Sequence, residues 1–288
     1  MAIAAAQSSI EPIIRPLSSS IGAMVENVDL ALEQSSQAIS IIYQALLDHQ
    51  VIFFRDQAIT TEQHLAFAMR FGELEIHPFA KDMLKNNDIY PEVMKISHNR
   101  DSKGRENLWH SDVTWRKEPS LGSILRAITI PEMGGDTLFA NMERAYEDLD
   151  DDMKERLDGL TASHDASPFF EGMKANGASD EEIEAKRQQF PESEHPVIRT
   201  HPDTGRKGIY VNTAFTQHIV GMDKQESDQL LEYLYSRAAI PEYQYRFRWE
   251  PNSIAFWDNR ACQHYAVSDY WPQERSVERA TIVGDKPV

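Results

Sequence analysis

The chain has 288 residues, 29 basic and 46 acidic, for a formal charge of −17. That excess of acid excludes a nucleic-acid binder, which needs a basic footprint to displace counterions, and equally a protein that docks on anionic lipid. A hydrophobic share of 41% suffices for a sizeable core, and the single cysteine, Cys262, excludes an internal disulfide and favours a reducing compartment.

The start, Met1 to Ser9, is small and polar and does not read as a signal peptide, and no run approaches the ~18 apolar residues of a membrane span. A cytoplasmic protein is expected. From Ala38, Ile41 to Leu47 continue an amphipathic pattern that predicts a helix, and Val51 to Phe54 is a short apolar run that predicts a buried strand. Thr60 and Gln63 fit a capping box, opening a helix through Leu65, Phe67, Ala68 and Phe71 that Gly72 stops. Leu121 to Ile130 predicts a strand ended by Pro131. Glu143 to Leu160 predicts one helix whose acidic run, Asp148 to Asp152, lies on a solvated face. Asp180 to Gln189 is charged and almost without an apolar stripe. It is expected to be a surface or mobile insertion, part of a stretch near 166–195.

The last hundred residues read differently. Asp223 to Arg237 predicts a helix with Leu230, Leu231 and Leu234 on one face. Tyr243, Tyr245, Phe247 and Trp249 alternate with polar residues, the period of a strand with one buried face. Ile254–Trp257 and Ser276–Val283 are two more strands. Short strands joined by turns predict a mainly β chain with helical decoration (α+β), its core a jelly roll, or double-stranded β-helix. No linker divides it, so residues 1–288 are expected to form a single domain.

Two motifs carry chemistry. In Trp109-His110-Ser111-Asp112, a strand would point residues i and i+2 to one face, offering an ion one nitrogen and one oxygen. Two donors are too few for a tight site, and a His-x-Asp pair arises by chance. A third donor is available 152 residues on, at His264, within the segment that opens Trp257-Asp258-Asn259-Arg260. Two histidines and a carboxylate on one face of an ion leave the opposite positions open, as in non-haem Fe(II) oxygenases. Arg275 lies 11 residues further, and a guanidinium is suited to bidentate capture of a carboxylate such as that of 2-oxoglutarate.

With these residues in place, the chain resembles the taurine dioxygenase family, the Fe(II)/2-oxoglutarate-dependent group that also includes 2,4-dichlorophenoxyacetate dioxygenases and alkylsulfatases. The resemblance runs from about Ile14 to Pro287. It is carried by FGELEIHP at Phe71–Pro78, WHSDVTW at Trp109–Trp115, GGDTLF at Gly134–Phe139, RTHPDTGRKGIYVN at Arg199–Asn212 and the run from Trp257 to Pro287. It implies that His110, Asp112 and His264 hold Fe(II), and that Arg275 and Thr137 bind the distal carboxylate of 2-oxoglutarate, the cosubstrate used with O2. It implies further that Arg279 grips the substrate's acidic group with His77 as its partner. Val113, Phe170 and Phe215 join the substrate-binding set, the two rings forming an apolar wall that keeps water from a reactive oxidant.

The implied reaction is hydroxylation of a small anionic organic molecule, an alkyl or aryl sulfonate or a sulfate ester. Sulfite or sulfate, an aldehyde, succinate and CO2 are released. Cleavage of an aryloxyalkanoate is the family's alternative. Ala80 stands where the taurine enzymes have a tyrosine, and Arg105 to Leu108 lacks the groups that meet taurine's amine there, so taurine itself is disfavoured. The family implies a homo-oligomer, a dimer or tetramer. A zinc hydrolase could use the same three ligands but gives Arg275 and Thr137 no task. A jelly-roll binding module would have no need of the complete ligand set.

Overall fold

Val51–Phe54 shows why the chain folds in layers. All four residues are buried, with Ile52 and Phe54 in one apolar cluster and Val51 and Phe53 in another. Side chains alternate along a strand, so this strand lies between two cores. Its antiparallel neighbour Ile254–Asp258 divides in the same way, Ile254 and Phe256 to the first cluster and Ala255 and Trp257 to the second. The computed structural model describes residues 7–8, 11–79, 85–86, 89–104 and 106–288.

These strands belong to an eight-stranded sheet. Its order is Ile13–Pro16, Ala23–Glu26, Val51–Phe54, Ile254–Asp258, Gly122–Thr129, Arg275–Ile282, Val93–His98 and Lys85–Asn86. Pairing is antiparallel except between Ala23–Glu26 and Val51–Phe54. One face is covered by the helices Ser36–His49 and Thr61–Ala68 through Ile42, Leu46, Leu65 and Phe67. The other faces a three-stranded sheet, Gln244–Phe247, Thr137–Asn141 and Cys262–Ala266, through Phe53, Leu125, Phe139, Phe247, Trp257 and Cys262. A further cluster joins the helices Met142–Glu147, Asp151–Leu157 and Lys224–Ala238 to smaller sheets beside this sandwich.

Most expected elements form where the periodicity places them. The capping box of Thr60 and Gln63 is present in full, but its helix closes at Ala68, four residues before Gly72. The single helix expected over Glu143–Leu160 is two, Met142–Glu147 and Asp151–Leu157. The break has a local cause: the Asp150 side chain accepts the amide of Met153 at 2.7 Å and caps the second helix. Part of the acidic run is thus a helix start. Asp180–Gln189 is also helical, begun by a capping box of Ser179 and Glu182 and anchored by Ile183, its one buried residue. A single anchor leaves no stripe for a pattern reading to find.

Candidate active site

The site lies between the large and small sheets. Strand alternation decides what points there. On Arg275–Ile282, Arg275, Val277 and Arg279 share parity, and Val277 packs in the inter-sheet core. Phe139 and Cys262 fix the parity of Thr137 and His264 on the small sheet in the same way. The expectation that Arg275 and Arg279 project to one face therefore holds.

His110 and Asp112 come together by another route than expected. They do not sit in a continuous strand. His110 makes an isolated antiparallel bridge to His264, with its amide on the His264 carbonyl at 3.1 Å and the return bond at 2.8 Å. The chain then turns. Val113 has φ 49°, and the Arg116 amide closes the turn on the Val113 carbonyl. A β-branched residue rarely enters the left-handed region, which costs about 1–3 kcal/mol. That cost falls immediately after Asp112, where the turn aims the carboxylate back at the histidines.

The result is one cluster. Donor atoms of His110, Asp112 and His264 all lie within 4.8 Å of one another. Asp112 Oδ1 is 3.9 Å from His110 Nε2 and 4.0 Å from His264 Nε2. His110 Nδ1 lies 2.8 Å from the Leu108 carbonyl, which can only accept, so Nδ1 carries the proton and Nε2 offers a lone pair. No hydrogen-bond partner meets either Nε2 among the described residues. Burial, aided by His110, holds His264 down to about 3, so its imidazole is neutral. Burial pushes the Asp112 carboxyl up, but Arg279, His264 and His110 outweigh it and keep it well below the usual carboxylate range. Two imidazoles and one carboxylate suit a divalent cation of the Fe(II) kind, with open positions opposite.

Two residues missed in the sequence hold Asp112 in place. Its Oδ2 accepts Ser123 Oγ at 2.8 Å and Asn259 Nδ2 at 3.5 Å. Asn259 Oδ1 in turn accepts the Asp112 amide and Trp257 Nε1. Asn259 was visible beside Asp258, but its role depends on contact across 147 residues, which no spacing rule supplies.

Arg275 is buried, and no carboxylate lies within ion-pair distance of it among the described residues. Its Nε donates to the Gly135 carbonyl at 3.2 Å, and its guanidinium lies 5.9 Å from the rings of Trp249 and Tyr270. A Cβ at Gly135 would come within 3.1 Å of Arg275 Cδ and 3.2 Å of Tyr270, so glycine there keeps the cradle open. Trp249 Nε1 donates to Thr137 Oγ1 at 3.0 Å, which leaves the hydroxyl proton of Thr137 to donate elsewhere. An unpaired buried guanidinium and a free hydroxyl could hold the carboxylate of a cosubstrate.

Arg279 is placed differently from Arg275. Its Nη1 meets Asp112 Oδ1 at 2.6 Å, and its Nε is buried without a partner among the described residues. His77 is also buried. Phe79's amide donates to its Nδ1, and its Nε2 has no partner among the described residues. Burial first, then the Arg279 charge, lowers His77 to about 3, so it is neutral with a proton on Nε2 to donate. Phe215 stands edge-on to His110, ring centres 6.1 Å apart. Phe170 is buried against Phe79 and under Arg187. Its neighbour Phe169, not singled out in the sequence, is the ring that meets His77 at 5.2 Å and stacks on Phe215 at 6.1 Å. Helical pitch separates adjacent residues by about 100°, so which of the two rings faces the site depends on helix rotation. Ala80 and Arg105 lie outside the described residues.

Residues 13–281 match the model of the taurine catabolism dioxygenase TauD, TfdA family. The chain belongs to this family. Among curated relatives, an alkylsulfatase of Acinetobacter baylyi is 36% identical, over 94% of this chain and 85% of its own length. An alpha-ketoglutarate-dependent sulfate ester dioxygenase of Pseudomonas putida is 34% identical, over 100% of this chain and 94% of its own. The crystal structure of a taurine dioxygenase from Burkholderia xenovorans superposes with a TM-score of 0.82 at 38% identity, covering 96% of this chain and 93% of that one. Family membership accounts for the mixed sheets and helices. No helix among the described residues is long and apolar enough to cross a membrane.

Proposed function

We propose that the protein is an Fe(II)- and 2-oxoglutarate-dependent dioxygenase acting on a small anionic sulfate ester or sulfonate. The observation that carries this is the pairing of an open two-imidazole, one-carboxylate cluster with two buried arginines on the same face of one strand. The sulfate ester dioxygenase and alkylsulfatase relatives support the substrate class. Reading the two facing sheets as a jelly-roll core of a single domain, decorated by helices near 166–195, agrees with this assignment. A cytoplasmic homo-oligomer, dimeric or tetrameric, completes it.

In this reading His110, Asp112 and His264 hold the iron. Bound there, Fe(II) supplies the activation of O2 that couples decarboxylation of 2-oxoglutarate to hydroxylation of a C–H bond. The chain's own residues position and exclude. Arg275 and Thr137 take the distal carboxylate of 2-oxoglutarate, and His77 and Arg279 take the substrate's acidic head. The rings of Phe169 and Phe215, with Val113, wall the reacting carbon from water. One oxygen atom enters succinate and the other the substrate carbon. A carbon bearing both hydroxyl and sulfate ester oxygen collapses to an aldehyde and sulfate; one bearing sulfonate gives sulfite. No protein acid or base is needed for hydrogen abstraction, and none is assigned.

The test is succinate formation across alkyl sulfates, alkyl and aryl sulfonates and aryloxyalkanoates, with inorganic sulfate and sulfite measured alongside. Stoichiometric sulfate or sulfite with succinate is expected. Release of anion without O2 consumption would establish a hydrolase instead.

A further inference from the structure

Resting on that reading, we propose that Arg279 couples the metal ion to the anionic substrate. It draws on the same Asp112 oxygen as the metal and transfers its charge to the substrate's acidic group when that group binds.

The geometry at Asp112 is asymmetric. Oδ2 is turned to Ser123 and Asn259. Oδ1 faces both imidazoles, at 3.9 and 4.0 Å from their Nε2 atoms, and this same atom takes Arg279 Nη1 at 2.6 Å. A cation held by the three donors and the guanidinium therefore depend on one oxygen. A charged donor withdraws electron density from it, and its positive charge repels a divalent ion nearby.

The remaining donors of Arg279 are poorly used. Among the described residues, Nε is buried with no partner, and Nη2 reaches only the sulfur of Met94 at 3.7 Å. The neighbouring carboxylate of Glu75 is already engaged by Arg116 and Ser120. His77 Nε2 is a second buried nitrogen without a partner, close enough to sense the Arg279 charge. A sulfate or sulfonate head with three oxygens satisfies Arg279 and His77 together and relieves the demand on Oδ1. By linkage, substrate anion and metal then tighten each other's binding by the same factor.

This assignment predicts the opposite sign from ordinary support. Removing a group that merely orients a ligand weakens metal binding, whereas removing a competitor for the ligand's oxygen strengthens it. The probe is Mn(II), titrated calorimetrically into the full chain with and without hexyl sulfate. Hexyl sulfate is expected to tighten Mn(II) about five- to tenfold in the wild type. Arg279→Met and Arg279→Gln are expected to bind Mn(II) alone tighter by a similar factor and to lose the response to hexyl sulfate. Wild-type Mn(II) affinity indifferent to hexyl sulfate would overturn the proposal, as would variants that bind Mn(II) no better than wild type. The wild-type comparison requires no substitution, so a misfolded variant leaves the test standing. Succinate formation without this coupling sinks the arginine exchange alone. Coupling without succinate from any of the candidate substrates sinks the oxygenase reading alone.

Discussion

Two buried carboxylates, Asp112 and Asp258, lie near the same inter-sheet core, and burial opposes ionisation of both. Asp258 is saturated. Arg260 donates Nε to its Oδ1 at 2.8 Å and Nη2 to its Oδ2 at 2.7 Å, and His201 Nε2 meets Oδ2 at 3.0 Å. His201 uses its other nitrogen too, accepting the amides of Asp203 and Thr204. Nothing is left over, and the cluster is a strut that ties the Arg199–Asn212 segment to the large sheet. Around Asp112 the Nε2 atoms of His110 and His264 meet no hydrogen-bond partner among the described residues, and Arg279 and His77 keep unused donors. Both clusters combine histidine, aspartate and arginine. The difference lies in unsatisfied capacity, which at Asp112 is gathered around one point between the donors.

Substitutions at the two clusters should fail in different ways. The largest effect is expected for His110→Ala, Asp112→Ala or His264→Ala, which should reduce succinate formation to background; urea unfolding midpoints should stay near wild type in the two histidine variants, whereas Asp112→Ala also strands the buried Arg279 and should lower the midpoint. Undiminished turnover in any of them would remove the metal assignment.

At the strut the loss is in stability. Asp258→Ala strands Arg260 and His201 and should cost about 3–5 kcal/mol in urea denaturation, with turnover per folded molecule largely retained. The sign with pH follows from the direction of its shift. Arg260 and His201 outweigh burial and hold the folded Asp258 carboxyl below its unfolded value. Its stabilisation is therefore complete above about pH 4 and is lost as pH falls further. Acid unfolding of Asp258→Asn should show a shallower dependence on pH across that range than wild type; equal slopes would show that the strut carries no linked proton.

Among the groups around the open cluster, Arg275→Ala should raise the 2-oxoglutarate KM about 10- to 100-fold, the loss of a charge-assisted contact, and leave the substrate KM nearly unchanged. Arg279→Ala should do the reverse. Equal changes in both constants for either variant would refute the division of labour. Asn259→Ala, which frees Asp112 from its orienting amide, should weaken Mn(II) about tenfold. The smallest effect is expected for Phe169→Ala, with a rise in substrate KM of about fivefold, the scale of one aromatic contact. A larger effect for Phe170→Ala would reverse the assignment of the pocket wall.

The strands that hold the site were legible as short runs set between turns, as in Ile254–Trp257 and Ser276–Val283. The spacing of His110 and Asp112, with Arg275 after His264, pointed to the right chemistry although the strand geometry assumed for the first pair was wrong. Periodicity reports burial averaged over several residues, and a single left-handed residue such as Val113 leaves no trace in it. The same averaging concealed the Asp150 cap within an acidic run and the lone anchor Ile183 of a polar helix.

The sequence by itself determined the family, because its motifs are residue types at short spacings along the chain, and within those motifs it singled out His110, Asp112, His264, Arg275 and Arg279 as candidates. Only the tertiary structure decided that Arg279 meets Asp112 Oδ1, that Ser123 and Asn259 hold the other oxygen, and that Phe169 is the ring between His77 and Phe215. Each of these is a contact in space, most of them between segments far apart in sequence, fixed by strand register and helix rotation. Bonds of 2.6 to 3.5 Å depend on position in space, which local pattern along a chain does not specify.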